Sequence, residues 1–462
     1  MAEIHRGRFQ PGDPLPGYRT LAGQLGVSRN TVMAAYRELQ AEGWVASTPG
    51  AGSAVARRPP GHLPAPAGRA GEPGPAPEMG FDLSGDTRPP APQARRNLLE
   101  VRSGAPDPLL LPGAALARAY RRALTLNRGN ALTVEDPQGH PRLREALAHM
   151  LAGTRGIPAA PERLLVTRGT RMSISLLADA MCAAGDTVAV EALGGRSAWE
   201  AIARAGARCH PIPVDGEGLD VDALARLLQA ATVRAVLVTP QRQYPTLAPL
   251  SPGRRSRLLE LARRHRFAVV EVDQDSEFQF EGRPLAPLAA ADEGGVVVHV
   301  GTLSKIFAPG LRLGFVHGPA PLVGRLRELR AAFDRHGDPV LERAMAELME
   351  DGELQRHLNR MHQVYRVRRD TLCAALGREL SGAAEAAPPS GGLALWLRIR
   401  DDLDVDAWAV RALERGVAFQ PGRQFAFEGG QVQGLRIGFS NYPEPELEEV
   451  ARRMRVALEG RS

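Results

Sequence analysis

Residues 57–98 decide how this chain can fold. They carry Arg57-Arg58-Pro59-Pro60, Pro64-Ala65-Pro66 and Arg88-Pro89-Pro90-Ala91-Pro92, with few large apolar side chains. Such a stretch offers no face to a core and reads as a semi-extended linker. The chain must therefore build separate bodies on either side, a small one over 1–56 and a long one over 99–462. At 44% hydrophobic and 24% charged residues, both have the composition of ordinary globular domains. No apolar run reaches the ~20 residues that span a bilayer. Met1 to Gln10 is polar and lacks the apolar core of a signal peptide. Cys182, Cys209 and Cys373 have no paired spacing and read as free thiols, so a cytoplasmic protein is expected, with neither a membrane partner nor a metal site.

The long body alternates two patterns. Apolar runs Thr187–Val190, Ala235–Val238, Ala268–Val272 and Val296–Val300 read as buried parallel strands. Helical segments Met172–Ala183, Ala198–Ala205, Val221–Ala230 and Arg254–Arg264 separate them. Alternating strands and helices predict an α/β fold, a mostly parallel sheet with helices on both faces, whose ligands sit at the strands' C-terminal ends. A large part is expected over about 130–320, and a smaller α+β part over about 99–129 and 321–462.

The short body reads differently. Arg19 to Leu25 forms one helix, with Leu21, Ala22 and Leu25 as its apolar face. Gly26-Val27-Ser28 is a turn, and Ser28 caps a second helix over Arg29 to Glu42, in which Val32, Tyr36 and Leu39 face inward. Gly43 ends that helix. Trp44-Val45-Ala46, a tip containing Gly50 and Gly52, and Ala54-Val55 form a hairpin. Two helices, a turn and a hairpin make a winged helix-turn-helix, and the second helix suits the major groove of double-stranded DNA. Arg29 is the candidate for guanine, Asn30 and Thr31 lie beside it, and Arg19 and Arg37 are candidates for phosphates. In residues 1–58 seven arginines face four acids, an excess of +3 that permits this role.

Of the 58 basic residues, all but one are arginine; the exception is Lys305. A primary amine forms a Schiff base and a guanidinium does not. Lys305 follows a strand, in Gly301-Thr302-Leu303-Ser304-Lys305, with Gly310, Arg312 and Gly314 after it. An aldehyde cofactor with a phosphate tail would use Lys305 for the imine, with Thr302 or Ser304, and Arg312, for the phosphate. Gly169-Thr170-Arg171 runs from a strand into a helix whose first amides suit the same phosphate. Asp273 ends another strand, where a carboxylate can pair with a protonated pyridine nitrogen. Arg436, in Gly434-Leu435-Arg436-Ile437-Gly438, can clamp a carboxylate.

These residues place the chain beside known families. Pro11 to Gly52 resembles the GntR-type winged helix, notably Leu21-Ala22-Gly23-Gln24-Leu25-Gly26-Val27-Ser28-Arg29-Asn30-Thr31-Val32. That family has a longer helix before the Gly12 turn, where about ten residues precede it here, so helix one is short or the true start lies upstream. The long body resembles fold-type-I aminotransferases through Glu135-Asp136-Pro137-Gln138-Gly139, Gln243-Tyr244-Pro245-Thr246, Asp275-Ser276-Glu277-Phe278 and the Lys305 segment. Together they look like the MocR subgroup of GntR regulators. The resemblance implies pyridoxal 5'-phosphate on Lys305, with Tyr244 in the cofactor site, Asp273 at the pyridine nitrogen and Arg312 at the phosphate. Arg436 would take the carboxylate of an amine or amino-acid effector. It also implies a head-to-tail homodimer that binds an operator.

Several positions depart from that pattern. Val134 stands where a tyrosine usually reaches the partner's phosphate, and Gly195 where an aromatic ring stacks on the pyridine. Gln274 replaces a tyrosine, Leu247 a glycine and Arg242 a histidine. An aromatic stacking contact is worth ~0.5–1.5 kcal/mol, so these changes weaken the cofactor site and bear harder on catalysis than on binding. Three readings follow: a regulator that senses pyridoxal phosphate or an amine, a working aminotransferase, and a regulator with a cofactor-free pocket.

Overall fold

The structure is a computed structural model, and it describes residues 9–48, 52–57, 80, 97–102, 104–125 and 136–460. The chain divides into two compact units, Met1–Pro92 and Gln93–Ser462.

In the first unit, helices Tyr18–Leu25 and Arg29–Ala41 precede strands β1 (Val45–Thr48) and β2 (Gly52–Val55), which pair antiparallel. The chain before the helices adds an edge to this hairpin, since Leu15 N–H donates to Ser53 O at 2.8 Å. Ala22, Val32, Tyr36 and Val45 are buried, and Leu15, Tyr18, Leu21, Leu39 and Trp44 pack on them. The Tyr36 hydroxyl donates to Pro16 O at 2.9 Å, which satisfies the one polar atom of that core side chain. Leu25 corrects the sequence reading: it is the last residue of its helix, Gly26 turns the chain away straight after it at φ 66°, and its side chain is 62% exposed.

The second unit opens with β3 (Leu99–Glu100). Its large sheet contains β4 (Leu164–Thr167), β5 (Thr187–Glu191), β6 (Arg208–Ile212), β9 (Val233–Val238), β10 (Ala268–Val272), β11 (Val297–Thr302) and β12 (Gly314–His317). A small hairpin, β7 (Val214–Asp215) and β8 (Gly218–Leu219), interrupts this series. The order is β4-β12-β11-β10-β9-β5-β6. Neighbours are parallel except β12, which runs antiparallel to both β11 and β4. Helices Thr170–Met181, Arg196–Arg204, Val221–Ala230 and Pro252–His265 cover the faces. Their apolar stripes form two cores on opposite sides: Ile174, Leu177 and Ile202 meet Val188 and Val298, while Leu224, Leu258 and Leu261 meet Val236 and Val269.

The second sheet contains β13 (Ala384–Ala386), β14 (Ala394–Ile399), β16 (Gln420–Pro421) and β17 (Gly434–Gly438), in the order β13-β14-β17-β16 and antiparallel throughout. Helices Glu353–Glu379 and Glu444–Glu459 back it, around Tyr365, Trp408, Ile437 and Met454. β15 (Val417–Ala418) pairs parallel with β3 and holds the start of the unit here. The division differs from the sequence expectation. Helix Gly113–Thr125 belongs with the large sheet, where Ala115 and Ala119 share a core with Leu143, Phe315 and Leu341. Helices Ala320–Phe333 and Pro339–Glu350 do the same through Val323, Leu326 and Leu341. Apolar stripes on helices do not declare which sheet they will cover. Among the described residues no helix is long and apolar enough to cross a membrane.

Candidate cofactor site and nucleic-acid interface

The C-terminal ends of the large sheet's parallel strands open into a cavity of about 660 Å³. Gly169, Thr170, Arg171, Tyr244, Thr302, Ser304, Lys305 and Arg312, drawn from separate parts of the sequence, all line it. Asp273 and Arg436 line a narrow recess beside it, which shares Thr239, Tyr244, Val272 and Gln274 with the main cavity.

One wall is suited to an anion. Gly169, at φ 94°, caps helix Thr170–Met181, and first-turn amides carry the helix's partial positive charge. Gly314 packs against it: a Cβ there would stand 2.7 Å from Gly169 Cα. The close approach of β12 to this helix cap thus needs glycine. Arg312, left-handed at φ 50°, is exposed and aims its guanidinium at this corner, with Nη1 3.8 Å from where a Cβ on Gly169 would stand. Ser304 N–H donates to Thr302 Oγ1 at 3.1 Å, and Thr302 Oγ1 donates to Leu313 O at 3.2 Å, so the two residues hold the turn before β12.

The amine is tuned. Burial first, and the Arg436 guanidinium second, bring the Lys305 pKa down to about 8 against the opposing pull of Asp275. Its Nζ donates to Gly104 O at 2.8 Å. Burial raises the Asp273 carboxyl, but Arg155, His299, the Ser276 hydroxyl and Arg242 outweigh it and hold it below the usual carboxylate range. Ser276 Oγ donates to Asp273 Oδ2. Arg155 Nη2 lies 3.6 Å from Asp273 and 2.6 Å from Glu277. A fixed anion therefore faces the recess at neutral pH. Arg436 is 2% exposed, with its guanidinium carbon 5.0 Å from the Tyr244 ring centre. Its strand, β17, lies between β14 and β16, which keeps the side chain off the sheet edge.

The departures have local explanations. Trp199, one turn after Gly195, is buried and lines the same cavity, edge-on to Phe427 at 5.0 Å. Arg242 donates to Asp275 O at 3.1 Å and Phe278 O at 3.3 Å, staking down the loop after Asp273. Leu247 keeps a left-handed backbone at φ 67°, a conformation glycine adopts at less cost. Gln274 lines the cavity. Val134 lies outside the described residues.

Sequence reasoning missed Gly104, Arg155, Glu191 and Thr239. Burial raises the Glu191 carboxyl to about 7, and it accepts from Thr239 Oγ1 at 2.7 Å at the cavity wall. Thr239 Oγ1 accepts in turn from Tyr244 N–H at 2.9 Å. Glu191 ends an apolar run, where a lone acid is a recognisable signal. Gly104 meets Lys305 across 201 residues, and no spacing rule spans that. Among the described residues no group of His, Cys, Asp and Glu is arranged to hold a metal ion.

In the first unit Ser28 caps the second helix by accepting from Thr31 N–H at 3.1 Å. Arg29, Asn30, Thr31 and Arg37 are exposed on that helix, as is Arg19 on the first. Gly52, at φ 88°, starts β2; Gly50 lies outside the described residues.

Residues 99–454 match the aminotransferase class I and II family, and residues 1–55 match the bacterial regulatory proteins of the gntR family. The chain is 31% identical over 464 residues to the probable rhizopine catabolism regulatory protein MocR of Rhizobium meliloti, covering 99% of this chain and 92% of that protein. It is 31% identical over 444 residues to the pyridoxine biosynthesis transcriptional regulator PdxR of Corynebacterium glutamicum, covering 96% and 91%. The structure also resembles LysN, an α-aminoadipate aminotransferase of Thermus thermophilus solved with N-(5'-phosphopyridoxyl)-L-leucine. The TM-score is 0.73 and the identity 29%, over 80% of this chain and 95% of that one.

Proposed function

This chain belongs to the GntR-family regulators of MocR type, DNA-binding proteins that join a winged helix to an aminotransferase class I and II domain, and we propose that its second unit binds pyridoxal 5'-phosphate at Lys305 and senses an amine or amino acid there. The observation that carries this reading is the chain's one lysine, set in the 660 Å³ cavity with its pKa lowered to about 8. When bound, the cofactor supplies an electrophilic carbonyl and an electron-accepting ring.

The donor set fits that group. Lys305 holds a neutral amine in useful amounts at physiological pH. Asp273 holds a negative charge for the pyridine nitrogen, and Arg155 keeps it ionised. Gly169, Thr170, Arg171, Thr302, Ser304 and Arg312 bind the phosphate, and Arg436 orients an effector carboxylate over Tyr244. Arg29, Asn30 and Thr31 meet base edges, while Arg19, Arg37 and the Gly50–Gly52 tip meet the phosphate backbone. A head-to-tail homodimer in the cytoplasm, reading a two-fold operator, completes the proposal.

The test is visible absorbance of the full chain titrated with pyridoxal phosphate, beside Lys305→Ala. A band in the wild type alone supports the reading. Its absence from both leaves a DNA-binding protein with a repurposed pocket. A second reading, a working aminotransferase, is favoured by Lys305, Asp273 and Arg436 together, since these suffice for amine exchange and proton transfer. Steady keto-acid production from an amino donor, lost in Lys305→Ala, would support it.

A further inference from the structure

Two parts of the second unit meet at one peptide. Lys305 stands just beyond β11 of the large sheet, and its Nζ donates to Gly104 O at 2.8 Å. Gly104 belongs to the other side. Leu99 and Val101 N–H donate to Gly416 O and Ala418 O at 2.9 and 3.0 Å, and Gly438 N–H donates to Val101 O at 2.6 Å. Beyond Gly104, Asp107 N–H donates to the Tyr365 hydroxyl at 3.0 Å, and the Asp107 carboxylate accepts from Arg368 at 3.0 Å. Residues 99–102 and 104–107 thus belong to a strap fastened to the second sheet and its long helix, and it reaches across to the lysine.

Gly104 also meets the second ligand-binding group. It sits at φ 49°, and a Cβ there would stand 3.2 Å from Arg436 Nη1 and 2.9 Å from both Leu393 O and Ala394 Cβ. A single residue therefore bonds the amine of the pocket and leaves beside the guanidinium no room for a side chain. It lies a few residues after the proline-rich linker that leads back to the DNA-binding unit.

We propose that Gly104 is the relay through which occupancy of the pocket reaches the linker. The inference rests on the reading of Lys305 as the cofactor lysine. Capture of pyridoxal phosphate forms a C=N bond between the Lys305 nitrogen and the aldehyde carbon. The C=O bond breaks, and the oxygen leaves as water with two hydrogens of the amine. An ammonium has three donors; the new nitrogen keeps at most one, fixed in the plane of its double bond. The Gly104 carbonyl loses its charged donor, and the strap loses this bond to the large sheet. A carboxylate on Arg436 disturbs the same residue from its other side.

The experiment is hydrogen exchange on the full chain with and without pyridoxal phosphate, in the wild type and in Lys305→Met. A hydrogen bond to a charged group is worth roughly tenfold or more in an opening equilibrium. Exchange over 99–107 should rise by about that factor when cofactor is added to the wild type. In Lys305→Met it should be raised already and should not respond to cofactor. The visible band separates the two ideas. A band with unchanged exchange overturns the relay and leaves the cofactor reading standing; no band overturns both. Slow exchange over 99–107 in cofactor-free Lys305→Met also overturns the relay, whatever the band does.

Discussion

A methyl group on Gly314 would stand 2.7 Å from the Cα of Gly169. The strand that follows Arg312 and the helix cap that offers amides to an anion are therefore in van der Waals contact through two glycines. Forcing extra atoms into such a contact costs ~1–3 kcal/mol. Gly314→Ala should weaken pyridoxal phosphate binding by roughly tenfold or more. An equilibrium titration of the visible band measures this, and an unchanged midpoint would show that this corner does not hold the phosphate.

The Lys305 amine should govern how fast cofactor is captured. Only the neutral form attacks a carbonyl, and with a pKa lowered from 10.5 to about 8 roughly a tenth of it is neutral at pH 7. The capture rate should rise about tenfold per pH unit below that value and level off above it. Arg436 is the second cause of the lowering, so Arg436→Gln should move the bend to higher pH. A wild-type rate still climbing steeply at pH 10 would contradict the assignment.

Arg155 is set between two carboxylates, the buried Asp273 and the part-buried Glu277. Removing one member of a buried ion pair typically costs ~3–5 kcal/mol, because its partner, here Asp273, remains buried and charged. Arg155→Met should lose about that much stability near pH 7. The sign with pH follows from Asp273: its lowered native pKa contributes stability above the unfolded value, lost as pH falls through the native one. The variant lacks that contribution, so its deficit should persist down to the ordinary carboxylate value of 3.8 and shrink only as pH falls below it. Denaturant titrations at several pH values test it, and a constant deficit would argue that the lost arginine acts through packing alone.

Glu191 gives the opposite slope. Its native pKa is raised from 4.5 to about 7, so the folded chain binds this proton more tightly than the unfolded one. Stability then falls as pH rises through that window, by about 3 kcal/mol in all. Glu191→Gln keeps the acceptor for Thr239 and loses the titration. The variant's advantage should therefore open between pH 5 and 8, and parallel melting profiles would refute it.

On the DNA side, Arg29→Ala should cost ~1–3 kcal/mol of affinity for the preferred operator and relax discrimination at one base pair. Arg37→Ala should weaken all sequences alike and flatten the salt dependence. Equal losses on specific and random DNA for Arg29→Ala would move that residue to the phosphate backbone.

Much of this architecture is written in local patterns. The runs 187–190 and 268–272 declared strands because buried parallel strands are apolar on both faces. Ser28 declared a helix start because its hydroxyl satisfies an amide that the helix leaves free. The lone lysine stood out against a background of arginine. What stayed hidden depends on approach through space. The reversed direction of β12 leaves no mark on a run as short as Gly314–His317. Ala115 and Ala119 have the stripe of any amphipathic helix, and only the fold tells which sheet they cover. Gly104 looks like any loop glycine two residues ahead of a proline. Its importance comes from a carbonyl that Lys305 reaches and a side-chain space that Arg436 fills.

The reversal of β12 has a consequence for how the pocket could change over time. A parallel strand delivers to the pocket only the residues that come after it. Because β12 runs backwards, it delivers those that come before, and Arg312 arrives on the same excursion that carries Lys305 away from β11. Both ends of the segment 303–313 are clamped in neighbouring strands at one rim of the sheet. The spacing between lysine and arginine is thus a closed circuit of fixed circumference. Loops at the other strand ends can lengthen or shorten singly, as the rest of the rim tolerates. An insertion or deletion between residues 303 and 313 would shift amine and guanidinium together.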